Sequence, residues 1–156
     1  AAGRAGRGAL RGEVVIQTYQ PENAAIVHAA AQDYRGFYEE EILYREFLRY
    51  PPVCNMMAVQ IFSGEEERGA ALAKRLAERA AQFRDEAEKA DKRLCVIGPA
   101  PAAVGRVNDI FRFVFYVKYE NYDKLIEIKD MLEEEAAAMQ LKNELLQIDF
   151  NPVNTF

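Results

Sequence analysis

Residues Ile110–Tyr119, which read IFRFVFYVKY, carry the most regular alternation in the chain. Successive side chains of a β-strand point to opposite faces of a sheet, so every second residue shares a face. One set is wholly apolar and is expected in the core: Phe111, Phe113, Phe115 and Val117. The other set mixes charge with an aromatic ring: Arg112, Val114, Tyr116 and Lys118. The alternation therefore predicts a strand that is buried on one face and chemically mixed on the other.

The sequence on both sides of this strand predicts the rest of one domain. Apolar residues at spacings of three and four predict helices at about Glu65–Lys89 and Tyr122–Leu141. Their expected buried stripes are Leu72, Leu76, Phe83 and Ala87 in the first, and Leu125, Ile128, Leu132 and Met139 in the second. Further strands are predicted at Asn55–Phe62, Leu94–Ile97 and Leu145–Phe150, with a Pro/Gly/Ala loop at Gly98–Asp109. This order predicts an α+β fold of the split βαβ (ferredoxin-like) type, a four-stranded antiparallel sheet with two helices on one face.

A helical segment precedes this domain. Pro21 lies near the start of a predicted helix over Ala24–Ala31, where its missing N–H does no harm. A second helix is predicted over Asp33–Tyr50, and Pro51 ends it. Gly12–Tyr19 has the β-branched run of a strand without a sheet to join, so we expect it to be loose or to pair with a neighbouring chain. The predicted division is 1–20, the end of a preceding domain, 21–52, the helical segment, and 53–156, the α+β domain.

Composition limits the classes of function. The chain has 156 residues, half of them hydrophobic, which is enough for one ordinary core. Residues 13–156 hold 17 basic and 25 acidic side chains, whereas a domain that wraps duplex DNA alone is normally basic. Any contact with nucleic acid must therefore come from a local patch. Cys54 and Cys95 lack a zinc-ligand spacing and are expected to be reduced thiols. No apolar run or signal segment predicts a membrane protein, which favours a soluble, intracellular one.

The residues do not predict a self-contained enzyme. The acidic runs fall on helices where solvation explains them, and the chain has a single histidine. Two places could bind a ligand. One is the rigid segment Gly98–Arg106, which ends in a cation. The other is the mixed face of the Ile110–Tyr119 strand, since charge interleaved with aromatic rings is typical of single-stranded nucleic-acid platforms. That face could equally be plain solvent-exposed sheet, or be covered by the Asp33–Tyr50 helix.

Several short motifs occur together and in a fixed order. They are AGRAGRG at Ala2–Gly8, GEVVIQTYQPEN at Gly12–Asn23, the D-Y-x-x-F-Y-x-x-E run at Asp33–Glu41, Arg45 with the Tyr50-Pro51-Pro52 stop, the Gly98–Pro101 loop, Phe111-Arg112-Phe113 and the terminal Asp149–Pro152. Each motif is weak alone, but the ordered set covers nearly the whole chain. The set resembles the C-terminal part of the primosomal protein N′ (PriA) family of replication-restart DNA helicases.

The resemblance implies a role for the first residues. Ala2–Gly8 would be helicase motif VI, and residues 1–20 would be the end of the second motor lobe. Arg4 and Arg7 would reach the γ-phosphate of ATP held by the other lobe, with Arg7 the better candidate for the arginine finger. The parent would be an ATP-dependent 3′–5′ helicase whose ATP, Mg²⁺ and zinc sites lie upstream. This part alone is therefore expected to hold no cofactor and to be inactive as an enzyme.

The remainder resembles the C-terminal domain of that family, which is similar in fold to a ribosomal protein of the S10 type. The partners it implies are forked or single-stranded DNA, the acidic tail of single-stranded DNA-binding protein and other primosome proteins. It implies a location in the cytoplasm, at the nucleoid, and no membrane partner. The candidate contact residues are Arg106, Arg112, Lys118, Lys124 and Tyr116. The stretch Val104–Ile110 is less basic than in relatives, which leaves a purely protein-docking domain without DNA affinity as the alternative.

Overall fold

The computed structural model of the chain describes residues 13–83, 94–139 and 141–153. It divides into two compact units, Ala1–Tyr44 and Arg45–Phe156. The boundary falls inside a helix and ahead of residue 53, where the sequence predicts the α+β domain to begin.

Two helices follow Asn23 in the first unit. Helix α1 spans Ala24–Ala31, as predicted, and the side chain of Asn23 caps it by accepting a hydrogen bond from the Ala25 backbone N–H. Helix α2 spans Tyr34–Leu48 and continues into the second unit. Residues 13–19 are exposed and lack regular structure, which agrees with the expectation that Gly12–Tyr19 is loose where it has no sheet to join. A strand needs a neighbour to accept its backbone hydrogen bonds, and the one sheet in the described ranges has four other members.

The second unit contains the predicted α+β fold. Its elements are β1 Asn55–Ser63, α3 Glu66–Ala81, β2 Cys95–Val107, β3 Ile110–Tyr119, α4 Tyr122–Ala138 and β4 Glu144–Phe150. The strands pair antiparallel in the order β2-β3-β1-β4, so the two central strands are β1 and β3. This arrangement confirms the split βαβ prediction.

The core lies between one face of the sheet and the two helices. Val59 on β1 lies opposite Phe115 on β3, and both are completely buried. The helices cover this face with the stripes that the sequence predicts: Leu72 and Leu76 from α3, and Leu125, Ile128 and Leu132 from α4. Phe83 and Met139 pack at the margin of this core, and Ala87 lies outside the described residues. The spacing of apolar residues therefore predicted which helix faces are buried.

The prediction for Gly98–Asp109 is wrong, because β2 continues as far as Val107. The strand lies at the edge of the sheet, where a residue without an N–H can be tolerated, and its pairing with β3 has two irregularities. Gly98 has a φ of +99°, which an L-residue with a side chain rarely adopts. Asn108 and Asp109 both have positive φ and join β2 to β3 directly, as in a two-residue type I′ hairpin turn.

Candidate functional site

The face of the sheet opposite the helices carries three of the predicted contact residues. Arg112, Tyr116 and Lys118 follow one another along β3 at even positions, so they share this face. The centre of the face is buried, with Gln60 on β1 only 3% exposed and its partner Val114 similarly covered. Arg112 and Tyr116 are half-buried. The structure thus brings the three residues into one row, along a face whose centre is covered rather than open.

Lys118 is engaged inside the second unit. Its side chain is almost fully buried, and its ammonium donates a hydrogen bond to the carbonyl oxygen of Leu48 at 3.2 Å. The same Nζ lies 3.5 Å from the centre of the Tyr50 ring, within the range of a cation–π contact. Burial lowers the pKa of Lys118. These contacts fasten the end of α2 to the sheet, whereas a contact between Lys118 and DNA stays a prediction.

Arg112 contributes one of two buried nitrogen donors on this face that have no hydrogen-bond acceptor in the described ranges. Its guanidinium is 5.4 Å from the centre of the Phe62 ring, which lies opposite it on β1. Its buried Nε has no hydrogen-bond partner in the described ranges, and neither has the Nε2 of neighbouring Gln60. A buried donor left unpaired costs about 1–3 kcal/mol.

Arg106 lies on the other face of the β2–β3 hairpin from Arg112. It lies opposite Phe111, on the face that carries the helices, and its guanidinium is 4.9 Å from the centre of that ring. It also forms an ion pair with Asp109 in the turn. Its side chain is 58% exposed. The two arginines therefore lie on opposite faces of one hairpin, each with its charge over a phenylalanine.

Lys124 lies in the helical layer, away from the row on β3. It occupies the first turn of α4, which Asn121 caps, and its ammonium contacts both carboxylate oxygens of Glu127 at 2.9 Å. The structure therefore does not bring Lys124 together with Arg112. The predicted motif VI residues Arg4 and Arg7 lie outside the described residues.

His28 is the centre of a polar cluster in the first unit. Its Nδ1 is 3.3 Å from a carboxylate oxygen of Asp33, and its Nε2 is 3.1 Å from one of Glu40 on α2. The hydrogen bond with Glu40 raises the pKa of His28, since the protonated ring can donate to both carboxylates. The Gly36 backbone N–H donates to Asp33 and lowers the pKa of that carboxyl. A mainly apolar cleft of about 300 Å³ adjoins the cluster and is lined by Ala25, His28, Ala29, Gln32, Asp33, Tyr34 and Phe37.

The raised pKa of His28 gives a pH dependence with a definite sign. The hydrogen bond between protonated His28 on α1 and Glu40 contributes its full stabilisation below pH 6.5, the ordinary pKa of histidine. This contribution is lost as the pH rises through the raised pKa of His28. Because the chain has one histidine, a proton NMR titration should show a single imidazole with a pKa above 6.5. Glu40→Gln should move that pKa down towards 6.5. Glu39→Gln is the control, since Glu39 pairs with Arg35 instead. Equal titration curves for the two variants would contradict this assignment.

The sequence analysis did not identify Gln60 or the contact between Lys118 and Tyr50. Gln60 has a visible signal, because it is the one amide in the apolar run Met56–Phe62 and its neighbours all favour burial. No sequence signal identifies the role of Tyr50, because Tyr50 and Lys118 are in contact but lie far apart in the sequence. Cys54 and Cys95 are free thiols. In the described ranges no three His, Cys, Asp or Glu side chains are grouped to hold a metal ion, and no helix is long and apolar enough to span a membrane.

Comparison with known proteins identifies the family of the second unit. Residues 46–153, which include the end of α2 and the complete sheet, match the primosomal protein N C-terminal domain. The chain belongs to this family. The start of the match at residue 46 agrees with the boundary of the second compact unit at Arg45. The last turn of α2 is therefore part of the family domain.

The relatives extend the match to the first unit. The replication restart protein PriA of Chlamydia muridarum is 34% identical over 99% of this chain and 19% of its own length. The protein of that name from Bacillus subtilis is 33% identical over 96% of this chain and 18% of its own length. The chain thus spans about a fifth of the curated relatives that it matches. A designed protein of solved structure, Foldit4, covers 65% of this chain with a TM-score of 0.47 and 12% identity.

Proposed function

We propose that this chain is the C-terminal portion of an ATP-dependent replication-restart DNA helicase, where it binds forked or single-stranded DNA and docks other primosome proteins. The observation that carries the proposal is the match to replication restart proteins over nearly the whole chain. ATP, Mg²⁺ and zinc would be held by other parts of such a protein, to which Arg4 and Arg7 would contribute motif VI. The protein would act in the cytoplasm, at the nucleoid.

The hairpin of β2 and β3 is the part of the family domain best suited to contact phosphates. Arg106 and Arg112 present a charge on each of its faces, and each guanidinium is held over an aromatic ring. A guanidinium keeps its charge at any physiological pH and its planar fork matches phosphate oxygens. Tyr116 lies on the same strand and face as Arg112, where it could stack on an unpaired base.

The test is fluorescence anisotropy of a labelled forked DNA titrated with the chain at low and moderate salt. If both arginines contact phosphates, Arg106→Ala combined with Arg112→Ala should raise the Kd at low salt by roughly tenfold or more. The slope of log K against log salt should become shallower by between about 1 and 2, since a lost phosphate contact accounts for about 1 and Arg106 already has Asp109 as a counterion. Arg35→Ala is the matched control, because Arg35 is an exposed arginine paired with Glu39 on α2.

A docking domain without DNA affinity is the second candidate, and the charge distribution favours it. Residues 13–156 carry a net charge of −8, and the ammonium or guanidinium groups of Lys118, Lys124 and Arg106 already have partners within the second unit. Under this alternative another primosome protein would be the ligand, since a net charge of −8 disfavours an acidic tail as it disfavours DNA. Absence of binding to forked DNA even at low salt would leave this candidate in place of the first.

A further inference from the structure

The two edges of the sheet differ in how they are protected. The edge strand β2 contains Pro99 and Pro101, which have no N–H, and its pairing with β3 is twice irregular. Both features are ways in which proteins prevent an edge from pairing with another strand. The other edge strand, β4, has no proline and pairs with β1 over seven consecutive residues without a shift in register. Strand β4 is therefore the edge to which a further strand can be added.

The register shows which backbone groups of β4 point outward. The Asn151 N–H donates to the Met56 carbonyl oxygen at 2.7 Å, and hydrogen-bonded pairs of an antiparallel ladder recur at every second residue. Gln147 therefore directs its N–H and C=O towards β1. Leu146 and Ile148 direct theirs away from the sheet, and in the part of the chain that the structure describes no strand lies on that side. These two residues offer two N–H donors and two C=O acceptors to an added strand.

The helix side of this edge is closed at one end and apolar at the other. Glu144, which begins β4, is buried, and its carboxylate pairs with Arg68 of α3 at 2.9 Å. At the far end Phe150 packs against Tyr122 of α4, with ring centres 5.2 Å apart. Ile126 lies one turn further along the same flank of α4, and it is 37% exposed. A strand added at this edge therefore meets apolar side chains on the helix side.

The helix and strand that form this edge are acidic. Residues 122–150, which include α4 and β4, hold eight acidic and three basic side chains, and their net charge of −5 equals that of the whole chain. On α4, Lys129 lies between Glu133 at 2.8 Å and Asp130 at 2.9 Å, and these two hydrogen bonds raise its pKa. Asp149 lies on the face of β4 away from the helices. Charge complementarity therefore favours a basic ligand at this edge.

We propose that β4 accepts an extended segment of a partner protein as a fifth, antiparallel strand, and that basic and apolar side chains alternate along that segment. The segment bonds to the outward N–H and C=O groups of Leu146 and Ile148. Its apolar side chains lie on the helix side, against Tyr122 and Ile126, and its basic side chains lie on the other side, beside Asp149. This strand addition depends on the docking part of the proposed function, and it defines the kind of segment that docks.

The kind of ligand follows from the backbone and the charge together. An extended polypeptide can bond to the N–H and to the C=O groups of a sheet edge at once, which a nucleic acid cannot do in a regular ladder. The acid excess of α4 and β4 disfavours an acidic peptide. It also disfavours a second copy of this chain, which would bring the same acidic helix to the edge.

The test uses the complete chain and a fluorescein-labelled peptide of seven residues in which lysine and valine alternate, beginning and ending with lysine. Hydrogen exchange followed by NMR should show the amides of Leu146 and Ile148 exchanging more slowly by roughly tenfold or more with the peptide in excess, because the added strand accepts from both N–H groups. The amide of Gln147 is the internal control, since it already points towards β1. Methylation of the valine amides of the peptide should abolish binding, because it removes the donors that face β4.

Anisotropy of the labelled peptide tests the charge requirement. Asp149→Lys should raise the Kd by roughly fivefold, because an attraction to the added strand becomes a repulsion. Glu78→Lys is the matched control, since Glu78 is exposed on α3 and lines a cleft with β2, at the opposite edge of the sheet. It should leave the Kd almost unchanged. A peptide in which glutamate replaces lysine should not bind.

Three results would overturn the proposal: unchanged exchange at Leu146 and Ile148 with millimolar peptide, binding that survives methylation of the peptide, or a glutamate peptide that binds as tightly as the lysine peptide. Circular dichroism of Asp149→Lys shows that a loss of binding is not a loss of folding. No DNA is present in these measurements, so a failure of strand addition and a failure of the proposed DNA contacts are separate results.

Discussion

Replacing Phe115 with alanine should destabilise the second unit by about 3–5 kcal/mol, the usual cost of deleting a buried phenylalanine ring. Phe115 is completely buried on the central strand β3, where it faces Val59 and lies under both helices. The cavity would lie in the middle of the core, between rigid strands that cannot close it. Since a whole domain is stable by only about 5–15 kcal/mol, the variant should be largely unfolded under mild denaturing conditions.

Urea unfolding followed by far-ultraviolet circular dichroism measures this effect. Phe47→Ala is the matched control, because it deletes the same ring from a residue of α2 that is 85% exposed. Its free energy of unfolding should stay within about 0.5 kcal/mol of the wild type, as is usual for surface changes. If the two variants lost similar stability, the core would not be centred on β3.

Replacing Lys118 with alanine should cost the second unit about 2–3 kcal/mol, the combined order of a charged hydrogen bond and a buried cation–π contact. The substitution removes the ammonium that holds the Leu48 carbonyl oxygen and the Tyr50 ring against the sheet. Urea unfolding again provides the measurement. Lys142→Ala, at an exposed position between α4 and β4, is the matched control and should have almost no effect.

Lys118→Met separates the ammonium from the apolar stem and adds a pH dependence. Burial lowers the pKa of Lys118 below its ordinary value of 10.5, so the unfolded chain holds this proton more tightly than the folded one. The stability of the wild type relative to Lys118→Met should therefore rise as the pH increases from the lowered pKa to 10.5. A difference that did not change over this range would contradict the burial of a charged Lys118.

The sequence predicted the elements that have a strong local pattern. The alternation in Ile110–Tyr119 and the apolar stripes of α3 and α4 each identify a buried face, and those faces meet in the structure. The extension of β2 was missed because glycine and proline in Gly98–Pro101 favour a loop, while an edge strand accepts them. The residues of Gly12–Tyr19 favour a strand, but local β-propensity cannot supply a pairing partner, and the described part lacks regular structure.

The candidate site was predictable only in part. Alternation correctly places Arg112, Tyr116 and Lys118 on one face of β3. It does not show that Lys118 meets Leu48 and Tyr50, because that contact joins segments far apart in sequence. Nor does it show that Arg106 lies on the opposite face, because that follows from the two-residue turn at Asn108 and Asp109, inside a segment that was predicted to be a loop. Long-range packing, and not residue type, decides which cations are available to a ligand.

The ion pair at the tip of the hairpin has a consequence for how anions would be exchanged there. Asp109 is held beside Arg106 by the turn and so acts as a tethered counterion. A phosphate arriving at Arg106 would displace this carboxylate as well as dissolved salt. Since the displaced anion stays attached to the chain, it competes at every salt concentration, and less of the binding energy comes from ions released to the solvent. If the tip binds phosphates as proposed, it should select against single, weakly held anions and favour a ligand that offers several phosphates at once.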